Sequence, residues 1–342
     1  MDALGISLSY PLIQAPMAGV QDERLAAAVS NAGGLGSLPA AMLSCDQLDT
    51  RLKRFRELSN GPLNVNFFCH QTPDSNECFS SAWMGALRPY FEELGVDHEK
   101  IAAGAERRPF NNEACEVLEA NPPEVVSFHF GLPDTDLLQR VKKLGTKVIS
   151  TATTIAEAVW LQNHGADGII AQGLEAGGHR GHFLQQSLVG QLTLSELLPA
   201  LIEAVDIPVI AAGGIVRAGT VQECLQEGAS AVQVGTAFLL CDEATTSKVH
   251  RQALVKTEME TAITNVFSGR PARGIVNRAI RELGPMSEIA PPFPQAAVAI
   301  TALRQKAESM ASGDFSPLWS GEHREGCDAV AAEEIVRRLM AF

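Results

Sequence analysis

The chain has 342 residues, 46% of them hydrophobic and 20% charged, and a net charge of −13. That length buries a large core in one or two domains, and that charge repels nucleic-acid phosphates with no Lys/Arg run to compensate. The seven cysteines (45, 69, 78, 115, 224, 241 and 327) are scattered without a C-x-x-C pair, so neither a disulfide framework nor a zinc site is indicated and a reduced cytoplasm fits.

Short apolar runs alternate with amphipathic stretches along the chain. Strands are predicted at Leu12–Ala15, Gly34–Leu38, Leu63–Phe68, Glu124–Phe130, Lys147–Ser150, Gly168–Ala171, Pro208–Ala212 and Ala231–Gly235. They are rich in Val and Ile and do not alternate, as parallel strands covered on both faces do. Helical patterns lie between most of them: Asp22–Asn31, Asp134–Leu144, Thr153–His164 and Val216–Glu227, each followed by glycine as a C-cap. Eight such repeats predict a (β/α)8 TIM barrel, with a doubly wound sheet as the runner-up. Residues 73–111 are too long for one helix and its loops, and 284–342 follow Gly284-Pro285 with a helix over Gln295–Met310. The expected division is therefore a barrel of 1–72 and 112–283, with 73–111 and 284–342 forming a small, mainly helical substrate or lid region over the C-terminal mouth. No basic-flanked apolar leader follows Asp2, and no run nears the ~18 apolar residues of a membrane span. No membrane or nucleic-acid partner is expected, and the oligomeric state is left open.

In such a barrel, sites gather at the C-terminal ends of the strands. Strands seven and eight end in Gly213-Gly214 and Gly235-Thr236. Turns there expose backbone N–H groups at helix starts, where an anion gains roughly 0.3–1 kcal/mol per helix end. Thr236 adds a hydroxyl. A single Gly-Gly is more often a plain tight turn, but two in adjacent barrel positions predict a phosphate site. Asn66, Gln172 and Gln233 sit at strand ends, and each offers a donor and an acceptor, as the edge of an isoalloxazine ring requires. With the phosphate site they predict FMN rather than a sugar phosphate.

The loop Gln172-Gly173-Leu174-Glu175-Ala176-Gly177-Gly178-His179-Arg180-Gly181 carries four glycines and one ionisable ring. His179 is the candidate general acid/base. His182, three residues on, would suit a metal only with further ligands, and only Glu175 is at hand, so no metal is expected. His129 lies between Phe128 and Phe130 and is read as packing, and histidines 70, 98, 164, 250 and 323 as surface or loop residues.

In combination, these segments resemble the nitronate monooxygenases, formerly called 2-nitropropane dioxygenases. The resemblance rests on Gln14-Ala15-Pro16-Met17-Ala18-Gly19, Asn66-Phe67-Phe68, Ser127 to Gly131, the Gln172–His179 loop, Ala212 to Ile215 and Gln233 to Phe238. Phe267-Ser268-Gly269-Arg270-Pro271-Ala272-Arg273-Gly274 and Leu318-Trp319-Ser320-Gly321 add to it. It implies an FMN enzyme that oxidises alkyl nitronates, propionate-3-nitronate among them, with dioxygen to a carbonyl compound and nitrite. It implies FMN contacts from Ala15, Pro16, Met17, Asn66, Gln172, Gly177, Gly178, Gly213, Gly214, Gln233, Val234, Gly235 and Thr236, with His179 as the catalytic residue. The family's pocket tyrosines are missing; Phe293 stands where one is expected, which bears on substrate range. The same barrel and loop also resemble FMN-dependent enoyl-ACP reductases and NAD(P)H:quinone reductases, the alternative function. A flavin-binding protein without turnover is a further rival, as is a flavin-free aldolase or isomerase with Glu175 as base.

Overall fold

The computed structural model describes residues 2–73, 79–101 and 107–342. The apolar runs form eight strands: β1 (Leu12–Gln14), β2 (Gly36–Pro39), β3 (Leu63–Phe68), β4 (Val125–His129), β5 (Lys147–Ala152), β6 (Gly168–Gln172), β7 (Val209–Ala212) and β8 (Ala231–Val234). They pair in parallel in the order β1-β8-β7-β6-β5-β4-β3-β2. Ile13 bridges Leu35 just ahead of β2, and Gln14 N–H donates to the Leu35 carbonyl at 2.9 Å, which closes the sheet into a barrel. The fold is thus the expected (β/α)8 barrel, with strand ends within three residues of those read from sequence.

The core explains the closure. Ile13, Leu35, Val125, Ile149, Ile170 and Ile210 fill the barrel interior and are all but inaccessible. Leu4 and Leu8, beside a hairpin of Asp2–Ala3 and Ile6–Ser7, pack into the same cluster from the end opposite the strands' C-termini. Two outer clusters fill the space between strands and helices. Burying each such aliphatic side chain contributes about 1.5–3 kcal/mol. Helix ends follow local chemistry: Ser44 and Gln47 form a reciprocal capping box on Cys45–Leu58, and Gly228, at φ 113°, ends Ala218–Glu227 in a conformation few other residues tolerate.

A separate apolar cluster sits over the mouth. Trp83, Leu87 and Phe91 of helix Ser81–Leu94 pack against Ala299, Ile300 and Leu303 of helix Ala296–Ser309. Residues 74–78 and 102–106 of the expected addition lie outside the described residues. Val266, Phe267, Ala279 and Ile280 join this cluster, whereas Ala332, Ile335, Val336 and Leu339 of the last helix pack in the barrel's outer core. We therefore propose that the unit over the mouth begins near 261 and that 332–339 belongs to the barrel.

A three-stranded antiparallel sheet, not foreseen in the sequence, joins the two units. Thr261–Thr264 pairs with Ala272–Ile275, which pairs with Gly178–His179. Ala272 lies opposite His179, so the glycine-rich loop is pinned as a strand.

Candidate active site

One cavity opens at the C-terminal ends of the strands. All fourteen residues singled out from sequence line it: Ala15, Pro16, Met17, Asn66, Gln172, Gly177, Gly178, His179, Gly213, Gly214, Gln233, Val234, Gly235 and Thr236. The β1 and β8 rims are tied by the Ala15 N–H on the Val234 carbonyl at 2.8 Å. Gly213 and Gly214 both take positive φ, 126° and 68°, so the turn after β7 is one that only glycine enters readily. Met17 N–H donates to Gln21 Oε1 at 2.7 Å, which fixes the thioether's backbone at the rim.

The three amides have different occupations. Asn66 Nδ2 donates to the Ser127 carbonyl and hydroxyl at 3.2 and 3.0 Å. Gln172 holds the loop: its Nε2 donates to the His179 carbonyl at 2.9 Å, and its Oε1 accepts the Gly181 N–H at 2.8 Å. Gln233 Oε1 is buried with no hydrogen-bond partner among the described residues, although its side chain lines the cavity. An unsatisfied buried acceptor costs about 1–3 kcal/mol, so this atom calls for a donor from a ligand.

At the other end stands His179. Its Nε2 lies 2.9 Å from Ser268 Oγ, and its ring is enclosed by Phe68, Phe130, Phe293 and Trp319, with centroids 5.4–6.2 Å away. Phe130 takes φ 71°, unusual for a bulky residue, and Arg270 stacks on its ring at 3.9 Å. Burial first, then the charges of Arg107 and Arg270 and the neighbouring rings of His129 and His70, hold the His179 imidazole well below the ordinary histidine value. It is neutral at physiological pH.

His129 is more than packing. Its Nε2 reaches the His179 carbonyl at 3.2 Å; a carbonyl only accepts, so that nitrogen carries the proton and Nδ1 accepts from the Thr151 hydroxyl at 3.0 Å. Burial lowers its pKa to about 3. Two histidines read as surface or loop residues are buried. His70 packs edge-on against Phe293, with centroids 4.9 Å apart, and His250 lines the cavity with Nε2 on the Trp319 carbonyl at 3.1 Å. Burial lowers both to about 4. A histidine carries no sequence mark of burial, but Phe68 two residues before His70 was a signal. Glu175, considered as a base, instead accepts the Leu194 N–H at 2.9 Å with its carboxylate and is not among the cavity residues.

Sequence reasoning assigned no role to Ser268, Trp319, Gly321 or Arg107. The first three lie in motifs that carried the resemblance. Among the described lining residues Arg107 is the one Lys or Arg, together with His129, His179, His250 and His323, and none is Asp or Glu. Within a chain of net charge −13, the charged side chain among these described lining residues is a cation.

The comparisons with known proteins agree across the chain. The sequence profile described as "Nitronate monooxygenase" matches residues 3–341. A nitronate monooxygenase of Pseudomonas aeruginosa is 37% identical, over 98% of this chain and 96% of its own length. One of Paraburkholderia phytofirmans is 35% identical, over 98% and 92%. Among solved structures, a nitroalkane oxidase from Streptomyces ansochromogenes superposes with a TM-score of 0.89 at 38% identity, covering 98% of this chain and 96% of its own. FabK from Thermotoga maritima follows at 0.72 and 26%, covering 99% and 93%.

Proposed function

The chain belongs to the nitronate monooxygenase family, and we propose that it is an FMN enzyme oxidising alkyl nitronates with dioxygen to a carbonyl compound and nitrite. The observation that carries the reading is the pairing, in one cavity, of a glycine-built rim with a neutral, caged histidine.

The residues present fit FMN. The orphaned Gln233 Oε1 would accept from the ring's N–H edge, and Asn66 and Met17 line the same cavity. The turns at Gly213-Gly214 and Gly235-Thr236 would hold the phosphate. At Gly178, with φ 74°, an added Cβ would meet nothing within 4 Å, which leaves open space beside the loop. The chemistry supplied by the bound flavin is electron transfer from the nitronate and onward to dioxygen.

The chain's own residues handle the proton and the charge. A neutral His179 keeps a nitrogen lone pair, so it takes the α-proton of a neutral nitroalkane without first losing one of its own. Its strand pairing with Ala272 and the Gln172 and His129 bonds to its carbonyl hold the ring's backbone in place. Arg107 favours the nitronate anion so formed, or one that arrives from solution. Phe68, Phe130, Phe293 and Trp319 exclude water around the imidazole.

The test is direct. Purified protein is expected to be yellow, or to take up added FMN, and to consume oxygen and release nitrite from an alkyl nitronate without NADH. Protein that stays colourless in excess FMN, or that oxidises NADH but releases no nitrite from a nitronate, would overturn the reading.

A further inference from the structure

The segment Leu318 to Glu322 places Trp319, Ser320 and Gly321 in the cavity lining. At the catalytic end, the Trp319 ring packs on His179 with centroids 5.6 Å apart, and its backbone bridges Gly274. At the rim end, Gly321 N–H donates to Thr236 Oγ1 at 2.9 Å, and Glu322 N–H donates to the Glu175 carbonyl at 3.0 Å. The approach is backbone on backbone: a Cβ added to Gly177 would stand 2.5 Å from Gly321 N and from Ser320 C. Gly321 thus lies against the glycine-rich loop at Gly177 and against Thr236 of the turn after β8.

One charge pair ties it down. Arg273 Nη1 meets Glu322 Oε1 at 2.9 Å; the Arg273 side chain is 10% exposed and that of Glu322 42%. The guanidinium is itself fixed, with Nε donating to the Leu174 carbonyl at 2.9 Å and Nη1 to Thr261 Oγ1 at 3.1 Å. Arg273 therefore anchors to the glycine-rich loop on one side and to the strap on the other. Ser320 N–H also reaches the Arg273 carbonyl, at 3.4 Å.

We infer that residues 318–322 are a strap that retains the phosphate end of the flavin, and that the Arg273–Glu322 pair is its latch. The inference rests on the flavin reading above. Glu322 is absent from the cavity lining, so it is a positioning residue that acts through Gly321 on Thr236. Release of the cofactor requires the strap to lift, and lifting breaks the pair and leaves a buried guanidinium without its carboxylate.

The experiment measures FMN dissociation from the purified holoprotein, followed by the return of flavin fluorescence on dilution. Glu322→Gln is expected to speed release about tenfold, between the small worth of an exposed pair and the larger cost of stranding a buried charge. Arg273→Gln, which breaks the same pair from its other side, is expected to speed it too. The double variant should release FMN about as fast as the faster single variant, because both changes free the same strap. Nitrite release by Glu322→Gln should fall at limiting FMN and recover in excess. Release from Glu322→Gln within about twofold of the parent, or multiplying effects in the double variant, overturns the latch while leaving the flavin reading intact. Parent protein that takes up no FMN overturns the flavin reading itself, and the latch with it.

Discussion

At the β7 and β8 rim the cavity wall is rich in glycine: Gly213, Gly214 and Gly235, with Gly321 from the C-terminal segment against Thr236. At the His179 end the wall is side chain: Phe68, Arg107, His129 and Trp319 line it, and Phe130, Phe293, Ser268 and Arg270 complete the surroundings of the imidazole. A wall rich in glycine lets a phosphate come close to the backbone dipoles. A wall of rings and cations sets one proton affinity and one charge preference. The comparison assigns retention of the cofactor to the rim and choice of substrate and proton to the other end, and each half can be broken separately.

The largest expected effect falls at the side-chain end. His179→Ala is expected to lower kcat/KM on a neutral nitroalkane by about 10²–10⁴, the usual worth of a positioned acid or base. Turnover of preformed nitronate should fall less, and FMN should stay bound. Loss of FMN together with activity would show that the two ends are not separable. Gly177→Ala strikes the rim instead. Its Cβ would sit 2.5 Å from strap backbone, which cannot yield as a side chain does. FMN affinity is expected to drop by roughly a hundredfold, matching the upper range of overpacking costs, as measured by fluorescence titration. An unchanged affinity would show that the strap moves freely.

The two ends also differ in how far they were legible in the sequence. The strands were readable because parallel, doubly covered strands spell themselves as unbroken Val/Ile runs, and the glycine turns because Gly213 and Gly214 occupy backbone conformations that few other residues enter. Of the fourteen lining residues, Asn66, Gln172, His179, Gln233, Gly213, Gly214, Gly235 and Thr236 follow from strand ends and glycine turns, while Ala15, Pro16, Met17, Gly177, Gly178 and Val234 follow from the resemblance. The environment of His179 does not. Ser268 reaches it across 89 residues through a sheet whose shortest strand is Gly178–His179, far too short to show alternation. His70 and His250 were read as surface or loop residues, and histidine's intermediate burial tendency gives no guide; the packed aromatic end, with Phe293 beside His70, buries them.

A third expectation concerns those neutral rings. Burial is the first cause that lowers His129 to about 3 and His70, His182 and His250 to about 4. In the unfolded chain they protonate near pH 6.5. Between those values the unfolded state holds more protons, so stability falls as pH drops; above about pH 7 both states are neutral and this contribution is flat. Each ring that titrates only on unfolding contributes about 1.4 kcal/mol per pH unit in that window. The thermal midpoint should be level from pH 8 to 7 and decline steadily toward pH 5. A midpoint that holds or rises between pH 7 and 5 would mean the rings are solvated and the cage is open.

The smallest of these effects probes the hinge between the two ends. Gln172 stands on β6 next to the rim, yet its amide acts as a piece of strand, with Nε2–H on the His179 carbonyl and Oε1 on the Gly181 N–H. Arg180 completes the hold, its guanidinium donating to the Gln172 and Gly173 carbonyls at 2.8 and 2.6 Å. Gln172→Leu keeps the bulk and removes both side-chain bonds, while Arg180, His129 and the Ala272 pairing still restrain the loop. The expected loss in kcat/KM is therefore about tenfold, the scale of one or two net hydrogen bonds, with the flavin retained. Gln172→Glu sets the test more sharply, because it keeps an acceptor for Gly181 and puts a carboxylate oxygen against the His179 carbonyl. If Gln172 serves mainly to place His179, the Glu variant should be the slower of the two at neutral pH and recover as the medium is made acidic enough to protonate it. Equal rates for both variants at every pH would mean that the loop is held by its sheet and by Arg180 alone.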